Sequence, residues 1–455
     1  MKKLVSLLLA AMLVTLCVPS LAADAPEGYP AVVEGIDFGG ATLYINPYWD
    51  PAVRSEDPTE DQELTYAFQD WIMETYNVKI VEEKFGDWGE PQVQEIRDFI
   101  SKADANELRV FLMPPGFVGK PMVQGWFADW ANNDLIDLKD DDLWNPGDVD
   151  FMTMGGKVYG VSTGKPEPRQ CVFFNKRVLE EAGIDWNTIY DAQANGTWTW
   201  AMFEDMLKTL TRDTDNDGVN DIWGIIGSGD DMYNCAVFAN GGCYFDFDAD
   251  GKIYPAMGSD EAIQALTWGK EIQANYWAPT PEGANWDWYK EDWKKGYCGF
   301  YMYQTYGGFN DNSEMADMED DWGCVAFPVP NEGDPYITVI SDNITMIPAC
   351  YDAETVAKLA FLYDLWSAPT PGYDDEDAWI GNKYNYTDER AVDETYAMLR
   401  EPEHCRINKV TYLGTQNDIL GSDFLWNLGA ENTPEALIET NMDKWQSACD
   451  TFNAD

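Results

Sequence analysis

The sequence predicts an α/β protein built around a mostly parallel sheet with helices on both faces. Three observations carry that reading. Strand-like runs alternate with amphipathic helical runs from residue 41 onward. Of the 455 residues, 45% are hydrophobic and 14% aromatic, enough to bury a core and too many for a disordered chain. No repeat recurs at solenoid or propeller spacing. At about 150 residues per domain, the length allows two or three domains.

Residues 41–45 (ATLYI) read as a buried strand. Leu64, Ala67, Phe68, Trp71, Ile72 and Tyr76 then recur at helical spacing in an otherwise polar stretch. A second strand at 78–81, a helix marked by Val93, Ile96 and Ile100, and a third strand at 108–113 complete a β-α-β-α-β order. After 158–161 a strand at 171–174 runs into a helix with Asn175 as N-cap and Gly183 as its stop. Thr199 caps the next helix, whose Phe203, Met206, Leu207 and Leu210 share a face. Another amphipathic helix begins at Ala262, and 297–303 is an aromatic strand. Residues 337–348 form one long, extended, mostly apolar run, and a helix follows over 352–366. Residues 369–377, rich in Pro, Gly and acid, read as a linker; Thr433-Pro434 opens a last helix running to about Cys449.

Charge excludes whole classes of partner. The chain has 29 Lys and Arg against 81 Asp and Glu, a net charge of −52. Such a surface repels nucleic acid and anionic membranes. A single histidine, His404, argues against most imidazole catalysis and against His-ligated zinc. At the start, Lys2 and Lys3, an apolar stretch over 4–17, the break at Pro19 and the small residues Ser20 and Ala22 read as a signal peptide over 1–22. Cleavage near Ala22 removes two lysines and no acid, so the mature charge is 27 − 81 = −54. Leu16 before Cys17 does not suit a lipoprotein signal. The product is expected outside the cytoplasm, in the periplasm, at the cell surface or secreted. Eight cysteines remain, Cys171, Cys235, Cys243, Cys298, Cys324, Cys350, Cys405 and Cys449, and both disulfides and buried thiols stay open.

The order of these pieces resembles the family 1 extracellular solute-binding proteins, the maltose-binding-protein-like receptors of carbohydrate ABC importers. "FQDWIMETYNVKIV" from Phe68 looks like that family's first helix and second strand. "GGKVYGVSTGKPEPRQCVFFNKRVLEEAGID" from Gly155 carries its turn, its strand ending in Asn-Lys and its helix ending in Glu-Ala-Gly. "TWTWAMFEDMLKTLTRDTDNDGVNDIWGI", "WKKGYCGFYMY" and "TPEALIETNMDKW" follow in the family's order. The resemblance implies a periplasmic-binding-protein-like fold: two α/β lobes, a hinge of crossover segments and a ligand cleft between them. We place lobe 1 at 23–162 plus 345–375 and lobe 2 at 163–340 plus 380–455, with crossings near 161–166, 337–345 and 369–381. It further implies a monomer that binds a carbohydrate, hands it to ABC transporter permease subunits and is not an enzyme.

Sugars present apolar C–H faces rimmed by hydroxyls, so candidate ligand-binding residues are aromatic platforms beside polar groups. Trp49 and Trp88 follow the first two strands, and Gly116 follows the third. Glu167 and Arg169 lie beside the first crossing, where a solvated charge pair is the plainer alternative. Tyr233, Tyr303, Tyr306 and Trp426 fall near places where the family stacks rings. Asp342 sits with Asn343 inside an apolar run, where a polar group needs a partner.

A second candidate is the loop Asp213, Asp215, Asp217, Gly218, Val219 and Asp221. Oxygen donors at alternate positions, a turn Gly at the sixth and a backbone carbonyl from Val219 at the seventh match calcium-loop spacing. Gly224 stands where an EF-hand has its closing Glu, and a solvated acidic turn is the alternative. Any Ca2+ there would be structural. The similar run 246–251 reads as a hairpin turn.

Three rival readings compete. Gly160-Val-Ser162-Thr-Gly164 matches a nucleophile elbow, but Pro166 and Pro168 follow where that motif needs a helix. A secreted glycoside hydrolase needs only two carboxylates, and no spacing singles out a pair. A peptide or polyamine receptor of the same fold is the nearest alternative, and the acidity also fits adaptation to a salty habitat.

Overall fold

The computed structural model describes residues 25–102, 107–308, 315, 317–373, 388–429 and 432–454. The signal peptide expected at 1–22, residues 374–377 of the expected linker and 374–381 of the third crossing lie outside them. Two four-stranded sheets organise the chain. In the first, Ala41–Asn46 lies parallel to Val78–Glu82 on one side and to Leu108–Met113 on the other, and Ile344–Met346 adds an antiparallel edge. In the second, Cys298–Gln304 is parallel to Trp223–Gly227 but antiparallel to Gln170–Asn175, which also pairs antiparallel with Trp322–Val325. The parallel expectation therefore holds for the core of the first sheet, while two of the three pairings in the second are antiparallel.

Local signals set the helix starts. Thr59 and Gln62 form a reciprocal capping box on Glu60–Thr75. Asn175, Thr199 and Asp352 each accept the N–H three residues on, at 3.1, 3.4 and 2.8 Å. Gly183 takes φ +77°, the left-handed stop that a Cβ disfavours. Burial then fixes the layers. Phe68 and Ile72 face the first sheet, and Tyr76 meets Phe361 of the helix Ala353–Ser367 edge-on at 5.2 Å. In the second, Trp198, Phe203 and Phe300 interlock with ring centres 5.0 to 6.2 Å apart.

The run 337–348 is not one strand. It breaks into Thr338–Val339 and Ile344–Met346, with Ser341, Asp342 and Asn343 between them. The break has a physical reason: the segment passes from the second sheet to the first, antiparallel to residues 161–170. Val161 bridges Thr345 near the first sheet and Pro168 bridges Ile340 near the second. Two strands of chain thus run side by side between the sheets. All eight cysteines among the described residues are free thiols. The run 246–251 is the expected hairpin turn between Phe245–Phe247 and Ile253–Pro255, with Gly251 at φ +76°. Among the described residues no helix is long and apolar enough to cross a membrane.

Candidate ligand cleft between the sheets

A cavity of about 440 Å3 opens where the two crossings meet the ends of both sheets, within the roughly 300–1,000 Å3 usual for small-molecule sites. From the first sheet come Tyr48, Trp88 and the Pro114-Pro115-Gly116-Phe117 turn, each following a strand. Open α/β sheets place ligands there, outside the carboxyl ends of their strands. From the second come Arg169 and Gln170 at the start of one strand, Gln304 and Tyr306 at the end of another, and Asp231 and Asn234 from the helix Gly229–Ala239. Asp148, the crossing residues 339–343 and a loop over 407–417 close the floor and the far wall.

Trp88, Gly116, Arg169, Tyr306 and Asp342 of the ten candidates line this cavity; the other five do not. Tyr233 and Tyr303 are corrected to core residues. Tyr233 is 1% exposed and its hydroxyl donates to the Leu428 carbonyl at 3.0 Å. Tyr303 lies on a strand buried on both faces, so alternation leaves it no open side, and its hydroxyl pairs with that of Tyr306 at 2.8 Å. Trp49 packs edge-on against Tyr48, which takes the lining position instead. The Glu167 carboxylate is held by the Tyr396 hydroxyl. The Trp426 indole N–H donates to Asp230 Oδ2 at 2.8 Å.

The charges on the floor are tied together. Asn145 Nδ2 donates to Asp148 Oδ2 at 3.0 Å and to Asp342 Oδ2 at 3.1 Å. Ser162 Oγ donates to Asp148 Oδ2 at 2.5 Å, and the Glu167 N–H to Asp342 Oδ2 at 3.3 Å. Burial, and then the Asp342 charge, push Asp148 up to about 8. Burial likewise raises Asp342 to about 6 and Asp231 above its ordinary range. Arg169 donates to the Ser341 carbonyl at 3.3 Å, with its guanidinium 5.6 Å from the Tyr306 ring centre. Ser162 therefore faces a carboxylate and not an imidazole. No helix follows it, and His404 Nδ1 lies 2.7 Å from the Tyr336 carbonyl, so the elbow motif has no elbow geometry.

The sign of the pH effect follows. A carboxyl raised in the folded state keeps its proton after the unfolded chain has lost its own, so stability falls as pH rises from about 4 to about 8. Asp148→Asn keeps an oxygen for Ser162 and removes the charge. Its midpoint advantage over the parent chain should be small in acid and grow through that window, as thermal unfolding across pH measures. A constant difference contradicts it.

The acidic loop lies apart from this cleft. The carboxylates of Asp213, Asp215 and Asp221 come within 4.8 Å of one another. Asp213 also accepts the Asn216 and Gly218 N–H groups at 2.6 and 2.8 Å. Gly218 at φ +91° permits the turn. Asp217 is outside that trio, its carboxylate accepting the Val219 N–H at 2.8 Å.

Sequence reasoning passed over Asp148, Gln170, Asp231, Asn234, Gln304 and the 407–417 loop. The rule that ligands sit beyond strand ends points to residues 228–234 after Trp223–Gly227, and to Gln304. No local signal marks the 407–417 loop.

No protein-family model matches the chain, and no curated protein matches its sequence. Solved structures do match over most of the chain. An ABC substrate-binding protein from Listeria monocytogenes in complex with cycloalternan shares 16% identity at TM-score 0.57, over 91% of this chain and 98% of its own. An ABC transporter solute-binding protein from Agrobacterium radiobacter K84 in complex with ribitol shares 17% at 0.56, over 90% and 99%. UspC from M. tuberculosis shares 16% at 0.58, over 90% and 100%. Two sheets, paired crossings and a cleft between them, matched over nine-tenths of the length, give the chain the two-lobe fold of ABC-transporter solute-binding proteins.

Proposed function

We propose that the protein is an exported, monomeric solute receptor that binds a carbohydrate, specifically an oligosaccharide, between its lobes and delivers it to an ABC importer. The observation that carries this reading is the composition of the cleft. Trp88 and Tyr306 stand 61% and 39% exposed in its lining, beside Asn234, Gln304, Asn343, Asn408 and Gln416. Apolar ring faces next to amides suit the C–H faces and hydroxyls of a sugar. Ligand contacting both lobes would favour closure by its differential affinity for the closed state. The lobe boundaries are those given by the sequence, 23–162 with 345–375 and 163–340 with 380–455.

Thermal unfolding of the mature chain against mono- and oligosaccharides tests the proposal. A ligand at a hundred times its Kd adds about 2.7 kcal/mol, an upward shift of several degrees. Recovery of the sugar intact supports a receptor; its cleavage supports a hydrolase. A shift with peptides or polyamines alone favours the other receptor reading.

We also propose that Asp213, Asp215 and Asp221, with Asp217 and the Val219 carbonyl, hold a structural Ca2+. The three converging carboxylates support it. Calcium should raise the unfolding midpoint of the parent chain and leave Asp213→Ala unmoved. Equal shifts in both would contradict the site.

A further inference from the structure

The hydrogen-bond code of the cleft is one-sided. Gln170 Nε2 donates to Asp231 Oδ1 at 3.1 Å, and because a carboxylate only accepts, Gln170 Oε1 must point elsewhere. Asn408 Oδ1 accepts the Val410 N–H at 3.2 Å, so its amide nitrogen faces Gln416 Oε1 at 3.1 Å. That oxygen also takes Asn234 Nδ2 at 3.0 Å, which turns Asn234 Oδ1 away. Gln170 Oε1 and Asn234 Oδ1 are consequently both buried, with no partner among the described residues. Their side chains line the cavity at 5% and 4% exposure. Each orphan is an acceptor waiting for an N–H or O–H donor, and a buried one left unmet is costly.

The charges lean the same way. Among the described lining residues three carboxylates, Asp148, Asp231 and Asp342, face one cation, Arg169. Arg169 acts on Asp231 and Asp342. Asp148 and Asp342 share only the Asn145 amide between them. We propose that the carbohydrate bound here carries a primary amine, whose ammonium group Asp342 holds beside Asp148, while Gln170 and Asn234 accept from the remaining N–H and O–H groups. This rests on the carbohydrate-receptor reading and narrows its substrate class. Burial raises both carboxyls, the Asp342 charge adding to the rise of Asp148 and the Glu167 charge to that of Asp342, and an ammonium beside them would relieve that.

The test is titration calorimetry on the mature chain at neutral pH. Matched sets of glucose, galactose and cellotriose are compared as hydroxyl, 2-amino and 2-acetamido forms, alongside the wider neutral-sugar screen. The amine form of at least one set should bind about tenfold or more tighter than its hydroxyl form, the worth of one charge-assisted hydrogen bond. Asp342→Asn should bring that ratio close to one, with circular dichroism on heating reporting that the variant folds. Binding of neutral sugars with no amine preference overturns the inference and leaves the receptor reading standing, and so does a preference that survives Asp342→Asn. Binding of spermidine alone, or of nothing in the screen, removes both.

Discussion

Trp88→Ala is expected to weaken carbohydrate binding about thirtyfold and to leave the unfolding midpoint unchanged. Trp88 stands 61% exposed at the cleft, edge-on to Phe117 with ring centres 5.2 Å apart. A ring so exposed contributes little to the core, and surface substitutions of that kind usually stay within about 0.5 kcal/mol. A sugar face laid on the indole would remove apolar surface from water worth about 2 kcal/mol, which is roughly thirtyfold in Kd. Calorimetry with the sugar found in the screen measures the first number, and circular dichroism on heating the second. Unchanged affinity would remove Trp88 from the binding surface; a lowered midpoint would make it a structural residue.

Trp198→Ala is expected to do the reverse, unfolding the second lobe early. Trp198 is fully buried, its indole N–H donates to the Ala326 carbonyl at 2.9 Å, and its ring meets Phe203 edge-on at 5.5 Å. Truncating a buried Trp costs about 3–5 kcal/mol through the cavity it leaves. The freed carbonyl adds to that loss. A midpoint fall of roughly 10 °C follows. A fall of only a degree or two would mean that the lobe repacks around the gap. Because the cleft draws Arg169, Gln170, Asp231 and Gln304 from this lobe, bound ligand should recover part of the fall.

Most of the local structure was legible in the sequence, because it is decided within a few residues. Asn175 and Thr199 cap the helices they were expected to cap, and Asp352, expected as the first residue of a helix, caps it instead; each needs only the N–H three residues ahead. The strand at Leu108–Met113 begins and ends where its apolar run does. Pairing is another matter. Nothing in Trp322–Val325 says that it lies antiparallel to Gln170–Asn175, about 150 residues earlier. The same distance hid half of the cleft. Asn408 and Gln416 enter it from a loop whose own sequence shows neither periodicity nor turn chemistry pointing there. Tyr303 misled for a related reason: family position suggested a platform, while cover on both faces of its strand, a property of the assembled lobe, buries it. Asp342 was readable because a carboxylate inside an apolar run needs a partner, and it has two, Asn145 and the Glu167 N–H.

The central claim is that a carbohydrate is held between two lobes that close on it. Small-angle scattering of the mature protein, with and without a saturating sugar from the screen, tests it most directly when the sugar is recovered and analysed afterwards. The account predicts a radius of gyration that contracts on binding, re-expands when the sugar is dialysed away, and a sugar returned intact. Binding with no contraction, or a sugar returned cleaved, would contradict it.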